Sequence, residues 1–252
     1  MGLALSGCSY CGSAQAPSPV AEPVEEASAT PAAPDAGADS ARWVHRFDQP
    51  LTSDWVTWTH QLDAQQGEIR LDERGLRMEL ETYGRPHAEV SVTAAAWKEA
   101  LDFSAQAQTM TVELDWLEDS NASYLSAGLA IVPEDAELKG DPRDLPKVTH
   151  LSFIGVGPGA TARRELLVQR QGQELARDTE GWPEVEREGR HLKSVSVRLV
   201  VSADLIRIEE EGRAPVSVKA SLGFARGRLV LFAASHSNSM RRAVRFTQLR
   251  VD

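Results

Sequence analysis

The chain lacks any apolar run near the roughly 18 residues that a bilayer-spanning helix needs, which excludes such a helix within it. It has only two cysteines in 252 residues, too few for a disulfide framework. Its six histidines show neither H-x-x-x-H nor H-E-x-x-H spacing, so a zinc site of that kind has no ligands. No G-x-S-x-G elbow is present, which removes the serine hydrolases built on it. A formal charge of −10 argues against nucleic acid as a partner. What remains is a chain that is 42% hydrophobic and 25% charged, enough to bury a sizeable core in one large domain or two small ones.

The first forty residues differ from the rest. They contain no Lys or Arg and five acids, Glu22, Glu25, Glu26, Asp35 and Asp39. Residues 41–252 therefore hold 27 bases against 32 acids, and half of the net charge belongs to the N-terminal segment. Residues 12–40 are rich in Ala, Pro, Ser and Glu, with Pro17, Pro19, Pro23, Pro31 and Pro34 and no aromatic residue. Such a stretch buries too little apolar surface to offset its ordering entropy, and it is expected to be a disordered tether. Fully extended at about 3.1 Å per residue it would reach roughly 90 Å; as a flexible coil, about 30 Å.

Residues 1–8 read Met-Gly-Leu-Ala-Leu-Ser-Gly-Cys. The run Leu5-Ser6-Gly7-Cys8 resembles a bacterial lipobox, in which a small residue precedes a cysteine that is lipidated and becomes the mature N-terminus. The resemblance implies residues 1–11 as a signal-peptide remnant, Cys8 as the acylated residue, and a membrane attachment through lipid alone. Ser9 stands where an inner-membrane retention signal would carry Asp, which implies the outer membrane. The apolar region is only about five residues long and no basic segment precedes it, so the true start is expected upstream, or the chain is truncated. Cys8 and Cys11 also form a C-x-x-C pair. No second pair and no βαβ pattern accompany it, so a zinc or redox role finds no support.

From residue 41 onward the pattern is period two, the mark of β-strands with one buried face. Leu76, Met78 and Leu80 alternate with Arg77, Glu79 and Glu81; Ala88, Val90 and Val92 with His87, Glu89 and Ser91. Val112, Leu114 and Trp116 alternate with Thr111, Glu113 and Asp115, and Val195, Val197, Leu199 and Val201 with Ser194, Ser196 and Arg198. Ile206 and Ile208 face in and Arg207 and Glu209 out, while Val244, Phe246, Leu249 and Val251 close the chain. Gly67, Arg74-Gly75, Asp119-Ser120-Asn121, Gly212 and Gly227 mark turns between the runs. No dozen-residue window has a 3.6 period; Ala94–Leu101 and Glu134–Leu138 are the places for a short helix or turn. About twelve strands in 41–252, with no second linker, predict one all-β, two-sheet antiparallel jelly-roll sandwich.

The order of these signals resembles the concanavalin A-like lectin/glucanase sandwich. The resemblance is carried by the Trp43…Phe47…Trp55 opening and the strand Gly75–Glu81. The strand Met110–Leu117, the Gly-Leu-Ala-Ile-Val run at 128–132, the pair 194–201 and 204–209, and the terminal 244–251 add to it. It implies carbohydrate, or another envelope component, as the partner.

Three constellations could carry chemistry. Glu113-Leu-Asp115-Trp-Leu-Glu118 matches the E-x-D-x-x-E spacing of laminarinase- and lichenase-type β-glucanases. That resemblance implies Glu113 as nucleophile, Glu118 as acid/base and Asp115 as the residue tuning them. Retaining hydrolysis needs two carboxyls about 5–5.5 Å apart, one ionised and one protonated. Alternation sets Glu118 on the face opposite Glu113 and Asp115, and only a bulge near Leu117 would unite the three. A solvated strand face ending at the Asp119-Ser-Asn121 turn accounts for the same residues, so catalysis is not the favoured reading. The second set is His87, Glu89, Glu113, Asp115, Tyr124 and Arg198, which would share one polar, ligand-binding face if the sheets order as in the relatives. Loop aromatics Tyr83, Trp97 and Trp182 offer stacking surfaces for sugars, whereas Trp43, Trp55, Trp58 and Trp116 read as core. The third is the loop 133–147, where Asp135, Glu137, Asp141 and Asp144 supply oxygens for calcium, although Lys139 stands at a ligand position of the EF-hand pattern. No cofactor is otherwise implied. Arg241, Arg242 and Arg245 read as a solvated strand or an anion contact, and Gly155-Val-Gly-Pro-Gly159 as an inter-strand loop.

Overall fold

A computed structural model of the chain describes residues 43–62, 66–82, 90–116, 125–154, 163–170, 173–181, 194–235 and 241–252. Among them the strands are β1 (Trp43–His45), β2 (Trp55–His60), β3 (Gly67–Asp72), β4 (Gly75–Glu81), β5 (Ser91–Trp97), β6 (Leu101–Asp102), β7 (Gln108–Trp116) and β8 (Leu125–Pro133). They continue as β9 (Thr149–Ile154), β10 (Arg163–Arg170), β11 (Gln173–Gly181), β12 (Ser194–Val201), β13 (Ile206–Glu210), β14 (Val216–Val218), β15 (Arg226–Ser235) and β16 (Arg241–Val251). The only helical turn among the described residues is a 3-10 turn at Pro142–Asp144.

The strands form two antiparallel sheets, as the period-two pattern requires. The first runs β14-β13-β12-β7-β16-β4-β3, with β1 added to β16. The second runs β11-β10-β9-β8-β15-β5-β2, with β6 added to β15. Met110, Val112, Leu114 and Trp116 of β7, and Val197, Leu199 and Val201 of β12, point into one core. Leu129, Ile131, Leu229, Leu231 and Phe153 meet them from the second sheet. Each such fully buried side chain stabilises the fold by about 1.5–3 kcal/mol.

Three local expectations are corrected. Ala94–Leu101 is not helical: Ala94–Trp97 belong to strand β5, and only the residues after Trp97 bend. Within β5, Val92 faces away from the main core, and Ser91 is buried against the opposite register position Ser235. The reason is a second apolar layer. Val92, Ala94, Ala96, Ala130, Val132, Val230, Phe232 and Ala234 form a cluster on the outer face of the second sheet, joined by Val148. Ala136, Leu138 and Leu145 from the β8–β9 connection, and Trp58, pack onto it. Trp58 is thus an outer-face residue, its indole N–H donating to the Gly140 carbonyl at 2.9 Å. Trp55 and Trp116 are in the core as expected.

The β3–β4 hairpin turns through Glu73 and Arg74, with Asp72 opposite Gly75. Gly75 has φ +152°, and a Cβ there would lie 2.3 Å from the Phe246 carbonyl oxygen of β16. Gly75→Ala should therefore cost about 1–3 kcal/mol. Urea denaturation checks this, and an unchanged midpoint would contradict the close approach.

At the N-terminal end, Trp43, His45, Phe47, Trp55 and Trp97 form one aromatic cluster, with Trp43 and Trp97 ring centroids 4.6 Å apart. Phe47 is fully buried with φ +52°, a conformation costly for a non-glycine residue. Its amide N–H donates to His45 Nδ1 at 3.0 Å, which requires that nitrogen to be unprotonated. Burial lowers the His45 pKa below its ordinary 6.5, against the opposing charge of Asp48. Stability from this contact is full above pH 6.5 and is lost as the pH falls toward the folded-state pKa. Thermal midpoints recorded between about pH 7.5 and 5 should fall in the wild type and fall less in His45→Gln; equal slopes would refute the assignment.

Candidate functional site

The outer face of the first sheet collects the polar halves of β7, β12, β13 and β16. Glu113 lies between Ser196 of β12 and Gln248 of β16. Asp115 lies between Ser194 and Arg245, and accepts a hydrogen bond from Ser194 Oγ at 2.6 Å. Arg198 lies opposite Thr111 on one side and Glu209 on the other, with Nη1 3.1 Å from Glu209 Oε2. Arg207 Nε reaches the other Glu209 oxygen at 2.9 Å.

The register of β16 makes this face. Pairing with β7 shifts between Phe246 and Gln248, so Thr247 is the extra residue of a bulge. The shift turns Gln248 outward beside Glu113 while Leu249 and Val251 return to the core. The bulge is thus on β16 and not on the acid-bearing strand. β7 keeps strict alternation through Trp116, whose side chain is buried in the core.

Toward β3 and β4 the same face becomes an ion-pair network. Asp115, Arg245, Arg77 and Arg70 occupy one cross-strand row. Arg245 Nε donates to Asp72 at 2.9 Å, Arg77 Nε donates to Glu79 at 3.0 Å, and Arg241 also pairs with Glu79. Burial works to raise the Asp72 and Glu79 pKa values, and the hydrogen bonds and charges of Arg245, Arg241 and Arg77 outweigh it, leaving both below the ordinary range. These carboxylates stay ionised and committed to arginines. The reading of Arg241, Arg242 and Arg245 as a solvated strand holds for the exposed Arg241 and is corrected for the other two. Arg245 is largely covered beside Asp72, and Arg242 is fully buried on the core-facing side, opposite Leu80.

Of the expected binding set, the structure brings together Glu113, Asp115 and Arg198. His87, Glu89 and Tyr124 lie outside the described residues, as do Glu118, Tyr83, Trp182, Cys8 and the 155–159 loop. The strands that follow His87 and Tyr124 in the chain, β5 and β8, belong to the second sheet. Ser194, Ser196 and Gln248 were not singled out from sequence. The signal for Gln248 was present, since the inward residues 244, 246, 249 and 251 break step once.

The four acids of the 133–147 loop do not converge. Asp141 accepts from Arg143 Nε and its backbone N–H, at 3.0 and 2.9 Å, and Glu137 pairs with Lys139 at 2.7 Å. Among the described residues no three His, Cys, Asp or Glu side chains are grouped to hold a metal ion.

No family model and no curated protein sequence matches the chain. Solved structures do share its fold. The Bacillus licheniformis β-glucanase aligns over 83% of this chain and 96% of its own, with TM-score 0.58 and 8% identity. The catalytic domain of an endo-1,3-β-glucanase (laminarinase) from Thermotoga petrophila aligns over 84% and 96%, with TM-score 0.57 and 10% identity. Lectin I-B4 from Griffonia simplicifolia aligns over 78% and 98%, with TM-score 0.51 and 14% identity. The fold is that of the concanavalin A-like lectins and glucanases.

Proposed function

We propose that this chain is a lipid-anchored cell-envelope protein whose sandwich binds a carbohydrate, or another envelope component, without turning it over. Cys8 carries the lipid, residues 12–40 hold the domain off the membrane, and the outer membrane is its place. The observation that carries the binding reading is the outward row Ser196–Glu113–Gln248, flanked by Ser194, Asp115 and Arg198. Carboxylates, hydroxyls, an amide and a guanidinium side by side on a rigid strand face match a ligand rich in hydroxyls. The bulge at this face lies on β16 while β7 alternates strictly through Trp116, so nothing among the described residues turns a third carboxylate of β7 to the face of Glu113 and Asp115, which favours binding over hydrolysis.

The rival reading is a retaining β-glucan hydrolase using Glu113 and Glu118, favoured by the outward placement of Glu113 and Asp115 and by the glucanase-like fold. A protein-interaction module would present a contiguous apolar patch. Among the described residues the one exposed large hydrophobic side chain is Val44, which weighs against it.

Affinity electrophoresis of the full chain in gels containing laminarin or mixed-linkage β-glucan tests the binding face. Retardation by at least one polysaccharide is expected, weakened about tenfold in Glu113→Ala and in Arg198→Ala if each loses a hydrogen bond from or to a charged group. Unretarded migration in both gels, or retardation untouched by both variants, would count against this face.

A further inference from the structure

The β8–β9 connection, residues 133–148, folds back over the outer face of the second sheet and is held there at several points. Leu138 and Leu145 pack on the apolar layer, and Trp58 holds the Gly140 carbonyl. Asp141, 7% exposed, binds Arg143, whose guanidinium carbon sits 5.5 Å above the Phe232 ring. A loop so pinned is pre-formed, and it lines an open cavity of about 530 Å³, within the usual size of small-molecule sites.

The lining is specific. Pro133, Ala136, Leu145 and Pro146 give it apolar surface. Of its charged residues, Glu137 and Lys139 pair with each other, Asp141 pairs with Arg143, and Asp144 has a partner as well. Asp135 and Lys147 also line the cavity and are exposed, and among the described residues neither forms an ion pair, with the other or with a third group. Among the described residues, one unpaired carboxylate and one unpaired ammonium thus line a single cavity from separate points without neutralising each other.

We infer that this cavity is a binding site for a small zwitterion with an apolar body, of dipeptide size. The ligand's ammonium meets Asp135, its carboxylate meets Lys147, and its apolar side chains cover Pro133, Ala136, Leu145 and Pro146. The site is independent of the carbohydrate reading, because it lies on the second sheet.

Isothermal titration of the full chain with leucyl-leucine tests it, with N-acetyl-leucine amide as the uncharged comparison. The dipeptide should bind and the blocked compound should not. Asp135→Ala and Lys147→Ala should each weaken binding about threefold to fivefold, as exposed charge pairs do, and added salt should weaken wild-type binding. The double reversal Asp135→Lys with Lys147→Asp should recover affinity, since the zwitterion can enter in the opposite sense. Both positions are exposed, so folding is not at stake. Absence of dipeptide binding at millimolar concentration, equal binding of the blocked compound, or single variants that bind as well as wild type would each overturn the inference.

Discussion

Replacing Asp141 with alanine is expected to destabilise the domain by about 3–5 kcal/mol, the cost of removing one partner of a buried ion pair. Asp141 is buried, accepts three hydrogen bonds from the Arg143 side chain through Oδ1 and Oδ2, and caps the 3-10 turn by accepting the Arg143 backbone N–H. Its loss would strand the Arg143 guanidinium over Phe232 with no counter-charge. The two-residue replacement Asp141→Leu with Arg143→Met removes both charges and should recover most of the loss, since an apolar pair is often as stable as a buried ion pair. Chemical denaturation of the single and double variants gives the comparison. A single variant within about 0.5 kcal/mol of wild type would mean that the pair is solvated rather than buried. The same group predicts the acid limb of the stability curve. Burial works to raise its pKa, and the hydrogen bonds and charge of Arg143 overcome this and leave it below the ordinary 3.8. Its contribution is full above pH 3.8 and is lost as the pH falls through the lower folded-state value. Asp72 and Glu79 act in the same direction, so acid unfolding should be steep below the ordinary carboxylate range.

The second large effect concerns the N-terminal segment. In the proposed reading the protein is held at the membrane by acyl chains on Cys8; no helix among the described residues is long and apolar enough to cross a membrane. Acyl chains contribute about 0.8 kcal/mol per buried CH2 group, so their removal abolishes attachment rather than weakening it. Expressed in a bacterial host behind a complete signal peptide, the wild-type chain should sediment with membranes, and Cys8→Ser should appear in the soluble fraction. Cys11→Ser should leave the distribution unchanged. Sedimentation of Cys8→Ser with the membranes would reject the lipid anchor.

The strands with one buried face were the most legible part of the sequence. On β7, Val112, Leu114 and Trp116 lie in the core and Glu113 and Asp115 point outward, as their alternation requires. The same holds for Ile206 and Ile208 against Arg207. Strand β5 was illegible because every residue from Ser91 to Ala96 is buried. A strand covered on both faces has no polar phase, and three consecutive alanines resemble a helix as much as a strand. The cover itself is a loop, and no periodicity announces where a loop will fold. Arg242 defeated the sequence for a related reason: a charged residue at the end of an alternating run reads as outward, yet its side chain is fully buried. The composition of the candidate site was hidden by distance along the chain. Ser194 meets Asp115 from 79 positions away, and Gln248 reaches Glu113 only through the bulge at Thr247.

Sugar release by the full chain, incubated with laminarin and with mixed-linkage β-glucan, bears most directly on the claim that the sandwich binds without turning its ligand over. Retention on the polysaccharide with no reducing ends above the buffer control is the result predicted here. Reducing ends that accumulate with the wild type and vanish with Glu113→Gln would contradict it, and would make Glu113 a catalytic residue of a β-glucan hydrolase.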